Sequence, residues 1–126
     1  MMERDWIFRL CTEAEWAGFR IGGVYAGGEA DRRDGFIHFS TAAQIAATAA
    51  RHYAAGGVLV LLAVAAAPLG EALKWEESRG GALFPHLYAP LPLAAVRAVR
   101  TLPDRDFGFL DAADQPTEAD GWTFIP

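Results

Sequence analysis

Cysteine is nearly absent from this chain: Cys11 is the only one among 126 residues. One thiol makes no internal disulfide and no thiolate metal cluster, and without an activating neighbour in sequence Cys11 reads as buried and inert. The three histidines are isolated and lack the carboxylate spacing of a metal shell, so no metal is expected. Long hydrophobic runs are missing too. The longest, Val58 to Leu69, is too short to span a bilayer and reads as core. No basic segment leads into an apolar one at the start, so a secretory signal is not expected and the cytoplasm is. Positive charge is scarce: the net charge is −5, which excludes general binding of nucleic acid backbone. Two signatures are also lacking. No Gly-Lys-Ser/Thr follows the glycines at 22, 23, 27 and 28, and no Gly-x-Ser-x-Gly elbow surrounds Ser40, so neither a phosphate loop nor a serine triad is expected.

What is present is a soluble globular balance, 52% apolar and 21% charged, in a length that fits one domain with one core. Charge is segregated along it. Residues 104–120 carry six acids against one base, whereas residues 35–103 carry five bases against three acids. An acidic chain with a mildly basic middle can hold a small anionic ligand locally.

Trp6 to Leu10 reads as a first strand, and Thr12 with Glu15 as a capping box opening a short helix to about Phe19. Val24-Tyr25 is a brief extended piece within a glycine loop. Gly35-Phe36-Ile37-His38-Phe39 reads as a buried strand running into Ser40, Thr41 and an alanine-rich helix. Thr41 and Gln44 form a second capping box. The helix extends to about Tyr53, with Ile45, Ala49, His52 and Tyr53 on one apolar face, before Gly56-Gly57. Val58 to Val64 suits a central strand covered on both faces. Leu73 to Glu76 follows as a strand. Phe84 to Tyr88, bounded by prolines, is expected to be extended but irregular. Pro92 to Ala95 fits one helical turn, and Val96 to Arg100 a half-exposed strand. The domain is assigned to residues 1–110, with residues 111–126 an acidic tail into which Trp122 and Phe124 bring anchors for docking back. Strands separated by single short helices make this an α+β chain, not a regular doubly wound sheet.

A polar ring in an apolar strand costs free energy unless something bonds it, so His38 has either a structural partner or a ligand. Ser40 and Thr41 are helix caps on either reading, and cap N–H groups also suit an anionic or ribose-bearing ligand. Trp75, Glu76 and Arg79 stand within five residues. They are a strand end with a surface ion pair, or Glu76 stabilises an oxocarbenium ion while Arg79 fixes a phosphate. His86 and Tyr88 flank Leu87 and share one side of an extended segment, as a structural corner or as a stack for a planar base. His52 is expected to be packed.

Taken together, Asp34-Gly35-Phe36-Ile37-His38-Phe39-Ser40-Thr41, the run from Val58 to Val64, and Leu73-Lys74-Trp75-Glu76 with Phe84-Pro85-His86-Leu87-Tyr88-Ala89-Pro90-Leu91 resemble the domain-of-unknown-function family 952. The likeness covers roughly residues 6 to 103. Two positions depart from it: Ala89 stands where the family usually has glycine, and Ala66 where an acid often follows the long strand. That family is similar in fold to ADP-ribosyltransferases, which bind NAD in a cleft between two small antiparallel sheets. Within that fold the nearest pattern is the RNA 2′-phosphotransferase group, whose second histidine and serine match His38 and Ser40. Phe36 replaces its first histidine, and its arginines and His-Gly-Thr strand have no counterpart.

The resemblance therefore implies an ADP-ribosylation-like fold that binds NAD or an ADP-ribose-like nucleotide. His38, Ser40, Trp75, Arg79, His86 and Tyr88 are the candidate ligand contacts. His38 and Glu76 are the candidate catalytic residues for ADP-ribosyl transfer or NAD cleavage, Glu76 on its chemistry alone. The alternatives are a catalytically inactive metabolite-binding module and a protein-interaction domain.

Overall fold

The computed structural model describes residues 5–110 and 115–125. In chain order its elements are β1 (Trp6–Thr12), α1 (Glu13–Gly22), β2 (Val24–Tyr25), α2 (Glu29–Asp34), β3 (Ile37–His38), α3 (Ile45–His52), β4 (Leu59–Ala65), β5 (Leu73–Glu77), β6 (Leu83–Leu87), β7 (Leu91–Pro92), β8 (Val96–Leu102) and β9 (Thr123–Phe124). They form an α+β architecture of small antiparallel sheets: one of four strands in the order β1-β4-β8-β9, one of three in the order β3-β6-β5, and the pair β2-β7. No helix among the described residues is long and apolar enough to cross a membrane.

The long apolar run takes the central place that its composition demands. Ile7, Cys11, Val60, Leu62 and Val64 face one core, which Phe19, Ile37, Phe39 and Leu87 complete from α1 and the three-stranded sheet. Phe8, Leu10, Leu59, Leu61 and Ala63 face the opposite core, closed by Ile45 and Ala49 of α3, Leu110 and Trp122. Both faces of β4 are dry, so its side chains need not alternate.

The capping box at Thr12 forms on both sides: Glu15 N–H donates to Thr12 Oγ1 at 3.1 Å, and Thr12 N–H to Glu15 Oε1 at 2.9 Å. The helix it opens runs to Gly22, beyond the expected end at Phe19. The second box is only half made. Gln44 Oε1 accepts from Thr41 N–H at 3.0 Å, but α3 starts at Ile45. Ser40 is no cap; its hydroxyl bonds Thr48 Oγ1 at 2.8 Å. His52 is exposed rather than packed.

α2 carried no expectation, because Gly28 at its N-cap has no capping oxygen to signal it. Its start is fixed from the third position instead: Asp31 Oδ2 accepts from Gly28 N–H at 2.7 Å. Gly27 must be glycine here. Its φ is +109°, and a Cβ would lie 2.7 Å from Asp31 Cβ.

β6 is a regular central strand, contrary to the irregular stretch expected. Pro85 falls opposite Trp75 on one side, and on the other its carbonyl accepts from Phe39 N–H at 3.0 Å. A residue's N–H and C=O point the same way in an antiparallel strand, so the donor that proline lacks is missing only toward β3. That explains why β3 stops at His38.

The chain end docks back. Trp122 is 3% exposed, its ring 6.0 Å from that of Phe8, and β9 pairs with β8 at Ala98 and Val99. Phe124 adds the strand but leaves its ring exposed. Asp111 and Asp114, with the two alanines between them, lie outside the described residues.

Candidate functional site

Pairing in the three-stranded sheet sorts its side chains by face. Ile37, Phe39, Leu87, Trp75 and Leu73 point to the core shared with the four-stranded sheet. The opposite face carries His38, His86 and Glu76, with Phe36 and Tyr88 at its ends. His38 is the register partner of His86, which in turn pairs with Lys74 next to the Glu76 position. Phe36 stacks on His86 with centroids 4.0 Å apart and 25° between planes, and sits 4.6 Å from His38 and 5.2 Å from Tyr88. The planar ring lying against His86 and Tyr88 is thus the chain's own phenyl group.

Asp31 is the polar centre. It is 3% exposed, and every bond it makes is to a donor. Oδ1 takes His38 Nδ1 at 2.7 Å, His38 N–H at 2.9 Å and Arg9 Nη1 at 3.0 Å; Oδ2 takes Arg9 Nη2 at 2.9 Å and Gly28 N–H at 2.7 Å. Burial by itself would raise this carboxyl's pKa, but the hydrogen bond from His38 and the charge of Arg9 reverse that and hold it well below the carboxylate range. The same pair keeps Arg9 protonated despite the burial that opposes it. Arg9 also bonds His38 O and the Tyr25 hydroxyl, each at 2.9 Å. Burial pushes the Tyr25 phenol up to about 12. Cys11, packed nearby, is also raised by burial to about 12, so it is an unreactive thiol.

A second carboxylate stands on the outer side of His38, with Nε2 3.0 Å from Asp34 Oδ2. Asp34 is lowered by the hydrogen bond from Arg33. A third grips the neighbouring ring: Glu76 Oε1 lies 2.8 Å from His86 Nδ1 and accepts from the Tyr88 hydroxyl at 2.7 Å. These bonds, Tyr88's first, lower Glu76 and raise Tyr88.

Against this cluster opens a cavity of about 460 Å³. Arg9 of β1, Gly28 to Asp31 and Asp34 of the α2 region, Thr48 to Tyr53 of α3 in part, and Ser78 and Phe84 near β5 and β6 line it together with His38, Ser40 and His86. Arg51 and His52 contribute its α3 wall. Among the described residues the Arg51 guanidinium has no hydrogen bond or ion pair.

Of the residues singled out from sequence, His38, Ser40 and His86 come together on this cavity. Trp75 does not, because it packs into the core face. Glu76 and Tyr88 share the histidine face but line no part of the cavity. Arg79 opens a 3-10 turn and its side chain lies outside the described ones. Arg9, Asp31, Asp34 and Arg51 were missed. Arg9 had a signal: a guanidinium among Ile7, Phe8 and Leu10 demands a buried acid. Nothing in the spacing said which one. No group of three His, Cys, Asp or Glu among the described residues is placed to hold a metal ion.

The profile of the family described as "Protein of unknown function (DUF952)" matches residues 10–99. The chain belongs to that family. This DUF952 chain is 44% identical to protein CC0527 from Caulobacter crescentus, whose crystal structure it matches with a TM-score of 0.73, over 92% of this chain and 96% of that one. A double-methionine variant of CC0527 matches equally well. The solution structure of CC0527 matches with a TM-score of 0.66 at 42% identity, over 94% and 90% of the two chains. No curated protein matches. The descriptions of these DUF952 relatives name no activity.

Proposed function

We propose that this chain binds NAD or another ADP-ribose-like nucleotide in the cavity beside His38. The observation that carries the reading is a cavity of about 460 Å³ with a guanidinium on its wall, Arg51, that has no partner among the described residues. Small-molecule pockets have roughly 300–1,000 Å³, apolar walls and a few placed polar groups. Phe8, Leu10, Ile45 and Phe84 supply the apolar walls here. Arg51 takes a phosphate, and His38 Nε2 takes a ribose hydroxyl as the partly exposed Asp34 carboxylate swings aside. Arg9 is not the phosphate ligand, since Asp31 already saturates its charge.

ADP-ribosyl transfer or NAD cleavage is the chemistry such a ligand permits. Glu76 is held by His86 and Tyr88 away from the cavity wall, so this reading gives it the task of holding His86, not of stabilising a ribosyl cation.

Isothermal titration with NAD and with ADP-ribose tests the proposal. Binding is expected for both, and Arg51→Ala should weaken it roughly tenfold or more, the loss of one charge-assisted hydrogen bond. Absence of heat from either nucleotide at millimolar concentration would end the reading in favour of an interaction domain.

A further inference from the structure

His38 and His86 face each other as register partners across β3 and β6, their rings edge to face with centroids 5.6 Å apart. Both line the cavity, and each Nδ1 is held by a carboxylate, Asp31 for His38 and Glu76 for His86. A carboxylate accepting from Nδ1–H fixes the ring's tautomer and orientation and leaves Nε2 as the working nitrogen.

The two rings differ at that nitrogen. His38 Nε2 meets a second carboxylate, Asp34, at 3.0 Å. His86 Nε2 has no partner among the described residues, although the side chain is only 5% exposed. An ionised carboxylate only accepts, so each of these contacts is made by a ring nitrogen that carries a proton when it donates. A ring with one carboxylate keeps a lone pair on Nε2. One ring is thus bounded by carboxylates at both nitrogens, and the other, among the described residues, at Nδ1 alone. Phe36, packed on both rings yet lining no part of the cavity, holds their mutual angle from the other side.

We propose that His86 and His38 are a general base and general acid for hydrolysis of a nucleoside phosphodiester, an inference that rests on the nucleotide reading of the same cavity. His86 Nε2 takes a proton from water as the water oxygen bonds to phosphorus. The bond from phosphorus to the ribose oxygen breaks, and His38 Nε2, released as the Asp34 carboxylate swings aside, gives its proton to that oxygen. One water is consumed, and a phosphomonoester and a free hydroxyl are formed. His86 ends protonated and His38 neutral, and solvent restores both. Arg51 neutralises the phosphate, and Glu76 acts as a positioning residue through His86.

The test uses 2′,3′-cyclic AMP with the full chain, following by ³¹P NMR the conversion of the cyclic diester to the monoester. Wild type is expected to open the ring, and His38→Gln and His86→Gln to be slower by roughly a hundredfold or more. Glu76→Gln, at a partly exposed position, keeps the test decisive should a histidine variant melt early: kcat falls about tenfold with KM unchanged. No ring opening by wild type, or full rates in His86→Gln or Glu76→Gln, would overturn the pair. Titration with ADP-ribose alongside separates the two readings. Heat without ring opening removes the acid–base pair and keeps the pocket, whereas ring opening without heat keeps the pair and removes ADP-ribose as the ligand class.

Discussion

Asp31 accepts from two side chains and two backbone amides in a place where water cannot replace them. Asp31→Asn leaves Arg9 as a buried charge without its counter-ion, and a loss of about 3–5 kcal/mol is expected in urea unfolding. The pH dependence has a definite sign. The folded-state pKa lies below the ordinary 3.8, so the Asp31 contribution is fully present above that value. It is lost as pH falls toward the folded pKa. Wild type should therefore lose stability below about pH 4 more steeply than Asp31→Asn, read from midpoints of chemical unfolding. Equal slopes would mean that the carboxylate does not anchor the site.

Among the elements, α2 carries two of the carboxyl groups at His38, and its entry depends on a glycine. Gly27→Ala forces a side chain into left-handed backbone and against Asp31 Cβ, and a destabilisation of about 1–3 kcal/mol is expected. If Gly27→Ala unfolds in urea at the wild-type midpoint, the packing of α2 against its own entry loop is looser than described. Strand type and helix type followed from local pattern where a segment meets one environment. β4 is apolar throughout because both its faces are covered, and the Thr12 box closed as its residues require. β6 is more regular than the extended but irregular stretch expected of Phe84 to Tyr88, even with Pro85 inside it. Its missing donor is tolerated, since it points to where β3 ends.

At the scale of the molecule, residues 115–125 are part of the fold. Trp122 seals the core beneath Phe8 and α3, and Arg100 donates to Asp120 O at 2.8 Å. Trp122→Ala is expected to cost about 3–5 kcal/mol, measured by thermal or urea unfolding. A domain that ends at residue 110 is thereby predicted to be far less stable than the whole chain. An unchanged midpoint for Trp122→Ala would restore residues 111–126 to the status of an appended tail.

Composition and periodicity by themselves determined the α+β class, the central strand, the first helix and its cap, and the candidacy of His38 and His86. Each depends on neighbours a few residues away or on the simple demand that apolar runs be buried. Tertiary structure alone decided which groups those histidines meet. Arg9, Asp31 and His38 stand on β1, α2 and β3, and Glu76 and His86 on adjacent strands, so their contacts arise from chain crossings that no spacing records. The same crossings turned Trp75 inward, because register sends alternate side chains of β5 to opposite faces.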